Sequence, residues 1–138
     1  MYVPVSLDDA LRYLEENPTG TLPVAGGTDL LPRINRKQAS AKNLVDLSGL
    51  SELRYIKRDG DTIKIGAMTT IADFERLENN SAWGELLNAV AKKFGSPNIR
   101  TVATVGGNIC AASSSEDLIP VFLALDAKVK TIRRGGPR

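Results

Sequence analysis

Apolar residues recur along this chain at two periods, and the changes of period mark its elements. After an extended lead at Tyr2–Val5, residues Leu7, Ala10, Leu11 and Leu14 fall on one helical face. Ser6 is placed to cap that helix, Asp8 and Asp9 sit in its first turn, where the helix dipole favours acids, and Asn17-Pro18-Thr19-Gly20 stops it. The short apolar run Leu22–Ala25 predicts a buried strand. Gly26-Gly27 follows, then a short helix from Asp29 to about Arg36 and a second strand at Asn43–Leu47. This is a small β-α-β arrangement with its glycine turn at the carboxyl end of a strand, where α/β folds commonly bind ligands. Alternation over Leu53–Arg58 and Asp61–Ile65 across Asp59-Gly60 predicts a hairpin with a two-residue type I′ turn.

Helical periodicity then returns. Thr70 caps a segment with Ile71, Phe74 and Leu77 on one face. A longer helix over Ala82–Phe94 carries Trp83, Leu86, Leu87, Val90, Ala91 and Phe94 as a stripe that reads as core packing, except at its end. Gly95 and Pro97 close it. The β-branched run Val102–Val105 predicts a strand, Gly106-Gly107 a loop, residues from about Glu116 to Leu125 a helix, and Ala127–Ile132 a final strand leading into Arg133–Arg138.

Composition narrows the chemistry. The 138 residues suit one domain or two small lobes, and 42% hydrophobic with 25% charged residues is ordinary for a globular chain. A net charge of +2 singles out no polyanionic partner. The basic groups at Arg33, Arg36, Lys37 and Lys42 and at Lys128, Lys130, Arg133, Arg134 and Arg138 read as solvated faces, so neither nucleic acid nor membrane is expected as a partner. No apolar run reaches spanning length, and Met1–Asp9 has no secretory pattern, which predicts a cytoplasmic protein. There is no His, and Cys110 is the single cysteine. Imidazole chemistry, an internal disulfide and a multi-cysteine metal or iron–sulfur site are thereby excluded within this chain, and its chemistry is expected from a bound organic cofactor. Cys110 itself reads as a small buried hydrophobe or, alternatively, as a contact to such a cofactor.

The candidate site rests on two glycine pairs. In Thr104-Val105-Gly106-Gly107-Asn108, glycines without Cβ let a ligand approach the backbone, and successive N–H groups in such a turn attract an anion, typically phosphate. Thr104 and Asn108 add a hydroxyl and an amide. Alone, the motif reads as a tight strand-to-helix turn with no ligand. Val24-Ala25-Gly26-Gly27-Thr28-Asp29 repeats the pattern, and two such loops could converge on one diphosphate.

Together the segments Val24–Leu31 and Ile99–Ile109 resemble the FAD-binding (medium) subunit of the molybdenum hydroxylases, the xanthine dehydrogenase and carbon monoxide dehydrogenase family. The likeness continues through Asp117–Phe122 and Ala127–Val129 and covers nearly the whole chain. It implies an α+β fold of the PCMH-like type: a small β-α-β lobe at residues 1–52 and a larger mixed lobe at 53–138, with FAD in the cleft between them. It assigns FAD contacts to Val24, Ala25, Gly26, Gly27, Thr28, Asp29 and Leu30 in the first loop and to Thr104, Val105, Gly106, Gly107 and Asn108 in the second. Phe94 matches an aromatic position lining the site, and Asp117 an acidic one that hydrogen-bonds the cofactor. Asp29 and Asp117 would repel phosphate, so ribose or ribityl hydroxyls are their sensible targets.

The resemblance further implies an oxidoreductase subunit without catalytic side chains or metal of its own. It would relay electrons from an iron–sulfur subunit, itself served by a molybdopterin-binding subunit, through FAD to NAD or another acceptor. Members of the family carry a further C-terminal lobe that also touches the cofactor. This chain ends at Arg138, so a complementary C-terminal piece is an expected partner, and exposed apolar surface, self-association and weak FAD binding are expected of the chain alone. Two other readings remain open: a module that docks on partner subunits without flavin, and a binder of another phosphorylated ligand. A Rossmann NAD site is disfavoured because neither loop reads G-x-G-x-x-G.

Overall fold

A computed structural model of the chain describes residues 1–77, 81–113, 117–134 and 136–137. Helix α1 (Leu7–Glu16) opens where Ser6 Oγ accepts the Asp9 N–H at 3.1 Å, as a capping serine should. It closes at Asn17, which donates to Tyr13 O. Strands β1 (Thr21–Val24) and β2 (Asn43–Asp46) pair in parallel, Thr21 opposite Asn43 and Val24 opposite Asp46, with α2 (Leu30–Asn35) between them in sequence. The expected strand at Tyr2–Val5 shrinks to one bridge, Tyr2 to Val45.

Tyr2 nevertheless pins the amino terminus. Its ring stacks on Tyr13 at 3.9 Å between centroids, and its hydroxyl donates to buried Asp9 at 2.8 Å. Asp9 also accepts the Val5 N–H at 3.1 Å and pairs with Arg12. The Val5 and Tyr2 hydrogen bonds, with Arg12, hold the Asp9 carboxyl below its ordinary 3.8 against the opposing effect of burial.

The hairpin forms, one residue out of the expected place. β3 (Ile56–Asp59) and β4 (Thr62–Ile65) pair antiparallel with Asp59 opposite Thr62, so the turn residues are Gly60-Asp61. Gly60 has φ +61° while Asp61 stays out of that region. Positive φ at the first central residue alone is the II′ pattern, not I′.

Five helices follow: α3 (Ile71–Glu75), α4 (Ala82–Lys93), α5 (Pro97–Val102), α6 (Val105–Ala111) and α7 (Leu118–Ala124). The strand expected at Val102–Val105 is therefore absent. Ser96 Oγ accepts the Ile99 N–H and Pro97 sits in the first turn with φ already helical, and this start signal outweighs the weak strand preference of β-branched residues. Only Thr104 keeps an extended contact, an antiparallel bridge to Thr70. The final strand expected at Ala127–Ile132 reduces to β5 (Ile132–Arg133), paired with β6 (Gly136–Pro137). Glu116, the expected start of the last helix, lies outside the described residues, as do Gly135 and Arg138.

The core joins Ile71 and Phe74 of α3, Leu87 and Ala91 of α4, Ala103, Val105, and Leu118 and Val121 of α7. The α4 stripe packs as expected except at Leu86, which is exposed. Buried Asn88 donates to Phe74 O at 3.3 Å and Glu75 O at 2.8 Å, tying α4 to the carbonyls at the end of α3.

Two outcomes follow. Phe74→Ala, at a fully buried site, should cost about 3–5 kcal/mol in urea unfolding. Because the Asp9 pKa is depressed by folding, its contribution is complete above 3.8 and lost as pH falls through the lowered value. Thermal melts should therefore fall more steeply with acid below that pH in the wild-type chain than in Asp9→Asn.

Candidate functional site

Gly26 sets the position of the site. A Cβ built on it would lie 1.9 Å from the Val102 carbonyl oxygen, so the turn after β1 touches the backbone between α5 and α6 and admits only hydrogen there. Next to that contact lies a cleft of about 550 Å³, within the range of cofactor sites. One wall is the turn and start of α2, from Val24 to Leu30, with Arg33. The other comprises Ala103, Thr104, Gly106, Gly107, Asn108, Cys110 and Ala111. Ala67, Met68, Phe94 and Ile99 also line the cleft.

The two glycine pairs do different things. Among the described residues, none of the backbone N–H groups from Gly26 to Leu30 donates to a protein acceptor. Gly27, at φ +68°, supplies the left-handed turn within this run. These free donors border the cleft, and a run of unpaired N–H groups of this kind is attractive to an anion.

The second pair is not a loop, and its donors are engaged. Thr104 caps α6, and Gly106-Gly107 form its first turn. The N–H of Val105 donates to Thr69 O at 2.9 Å, that of Gly106 to Ala67 O at 2.8 Å, and that of Gly107 to Thr104 Oγ1 at 3.2 Å. The expected phosphate cradle of N–H groups is therefore not available here. These glycines serve close packing: a Cβ on Gly106 would meet the Ala67 Cβ at 2.8 Å and its carbonyl oxygen at 2.9 Å.

What α6 offers instead is Asn108. It is only 7% exposed and lines the cleft, and its Oδ1 has no hydrogen-bond partner among the described residues. Folded proteins satisfy such a buried acceptor with an ordered water or a bound group.

The remaining candidates divide. Phe94 lines the cleft at the end of α4, where Arg100 donates to the Phe94 and Gly95 carbonyls at 3.1 Å each and pairs with Glu75 at 2.9 Å. Val105 lies in the core, and Asp117 is exposed at the start of α7, outside the cleft wall. Cys110 is exposed and lines the cleft, so its reading as a buried hydrophobe is overturned. Met68 and Ala67 had no signal in the sequence. Arg33 had one, as part of a basic group, but was read as solvated.

A smaller depression at Arg54, Tyr55, Ile56, Thr69 and Asp73 is already occupied by a forked ion pair, Arg54 Nε to Asp73 Oδ2 at 2.9 Å and a second bond at 2.8 Å. Among the described residues no helix is long and apolar enough to cross a membrane.

Free N–H donors along one wall of a cleft, across backbones in contact, suit a cofactor with an anionic portion. A family model for the FAD binding domain in molybdopterin dehydrogenase matches residues 1–138. The chain belongs to that family of oxidoreductases, and its cofactor is FAD. Its relatives include the xanthine dehydrogenase FAD-binding subunit of Escherichia coli O157:H7, 37% identical over 128 residues, which are 91% of this chain and 43% of the relative. The nicotinate dehydrogenase FAD-subunit of Eubacterium barkeri is 33% identical over 93% of this chain and 44% of its own length. A solved carbon monoxide dehydrogenase from Hydrogenophaga pseudoflava superposes with a TM-score of 0.89 at 28% identity, over 99% of this chain and 48% of that one. The expected PCMH-like α+β fold is borne out. The chain spans less than half the length of these relatives.

If the Gly26 contact sets the cleft, Gly26→Ala should lower unfolding stability by about 1–3 kcal/mol or more. Gly49→Ala, with nothing within 4 Å of its Cβ, is the matched control and should change it little. Denaturant melts of the two variants compare them directly.

Proposed function

We propose that this chain is the FAD-holding part of an electron-transfer subunit in a cytoplasmic molybdopterin-dependent dehydrogenase. The observation that carries this reading is the run of free N–H groups at Gly26–Leu30 along one wall of a cleft that Asn108 and Phe94 also line. When bound, FAD supplies the redox chemistry: electrons arrive from iron–sulfur clusters on a partner subunit, beyond which lies a molybdopterin subunit, and leave to NAD or another acceptor.

The chain's own residues bind and orient. The Gly26–Leu30 amides take the diphosphate, Thr28 and Asp29 take hydroxyls of the sugar chain, Asn108 accepts from a ligand N–H or O–H, and Phe94 supplies an apolar wall. Thr104, Gly106 and Gly107 contribute shape rather than free donors. Asp117, exposed and outside the cleft wall, has no part in this reading. The division into lobes at residues 1–52 and 53–138 belongs to the same proposal; the short helical turn Ser51–Leu53 precedes the hairpin at that boundary.

A second reading, a module that docks on partner subunits without tightly held flavin, is favoured by apolar exposure. Leu123 is 75% exposed and Val129 66%. A complementary C-terminal flavin-lobe piece would cover such a surface.

Titration of the purified chain with FAD, followed by flavin absorbance and fluorescence, separates the two readings: the first expects uptake, the second none. Asn108→Ala should weaken FAD by about three- to tenfold, the value of one hydrogen bond. Since its Oδ1 has no partner to lose, the unliganded variant should melt within a few degrees of the wild-type chain. Unchanged affinity would remove Asn108 from the site.

A further inference from the structure

The charges around the cleft carry the reading one step further. Among the described residues lining it, Asp29 and Arg33 are the charged side chains, and Arg33 is the sole cation. They lie one helical turn apart, each about half exposed, with Arg33 Nη1 3.4 Å from Asp29 Oδ2. A contact that long and that solvated holds a guanidinium weakly against a better acceptor. The Gly26–Leu30 amides beside it offer hydrogen bonds to an anion, but they bring no net charge. A diphosphate bridge carries negative charge on each phosphoryl group, and a guanidinium fork matches two such oxygens at once. Arg36 and Lys37, the next cations along the chain, are exposed and do not line the cleft.

We propose that Arg33 is the diphosphate clamp of this cleft: its guanidinium exchanges Asp29 for the phosphoryl oxygens, and the released Asp29 carboxylate accepts a sugar hydroxyl. The assignment rests on the FAD reading above and deepens it by naming the charge that neutralises the ligand. The Asp29–Arg33 pair is then a resting state of the site and not a structural brace. It keeps each side chain solvated and close to the position its ligand partner will take.

The test is fluorescence titration of the chain, wild type, Arg33→Ala and Arg33→Lys, with FAD and with riboflavin, which lacks phosphate. Circular dichroism confirms that each variant is folded. Arg33→Ala should weaken FAD by about tenfold or more, and Arg33→Lys should recover part of the loss, since an ammonium keeps the charge without the fork. Riboflavin should bind all three alike. Added salt should weaken FAD binding more steeply in the wild type than in Arg33→Ala. Equal FAD affinity in wild type and Arg33→Ala, or a loss of riboflavin binding as large as that of FAD, overturns the clamp while leaving the flavin reading in place. A wild-type chain that takes up neither ligand overturns both.

Discussion

The contact between Gly26 and the Val102 carbonyl fixes the distance between the two walls of the cleft. Because the wall-to-wall approach is made by backbone atoms, no rotamer change can widen or narrow it. The same device recurs at Gly106 against Ala67. Three stretches of main chain distant in sequence thus meet with nothing larger than the Ala67 methyl between them. Close-packed interiors transmit displacement instead of absorbing it. A small shift of α5 would therefore move the free amides of the first turn relative to Asn108.

The ends of the helices show how this arrangement is held. Arg100, whose Nη1 donates to the carbonyls of Phe94 and Gly95, ties the end of α4 to α5, with Glu75 balancing its charge. Asn88 ties the end of α3 to α4. Neither residue touches the cleft, yet between them they fix Phe94 and the α5–α6 connection in place. Asn88 and Arg100 thus spend their side-chain donors on joining helix ends, whereas the Asn108 Oδ1 has no partner among the described residues.

Much of this fold was legible in the sequence, and the failures have physical causes. Ser6, Thr70 and the apolar stripes located α1, α3 and α4, because capping and periodicity are local. The turn at Gly26-Gly27 was found because a left-handed residue after a strand leaves few alternatives to glycine. Val102–Val105 misled because β-branched composition is a weak preference, and Ser96-Pro97, several residues earlier, commits the chain to a helix. Gly106-Gly107 line the cleft, but not as the expected loop of free donors: glycine also appears where backbones must touch, and a sequence does not distinguish room for a ligand from room for Ala67. Asn88, Tyr2 and Arg33 take their roles from neighbours brought close only by folding.

The unequal hydrogen bonding of the two walls has a consequence for how the protein behaves empty and filled. The opening amides of α6 are closed by Thr69, Ala67 and Thr104, so that wall is complete without any ligand. The turn from Gly26 to Leu30 has no protein acceptor for its N–H groups among the described residues. Its amides should exchange with solvent hydrogen readily in the empty protein and slowly once an anion sits against them, while those of Val105–Gly107 are protected throughout. Ligand binding then tightens mainly the amino-terminal half, and the site works as a fixed anvil facing a wall that firms up on contact.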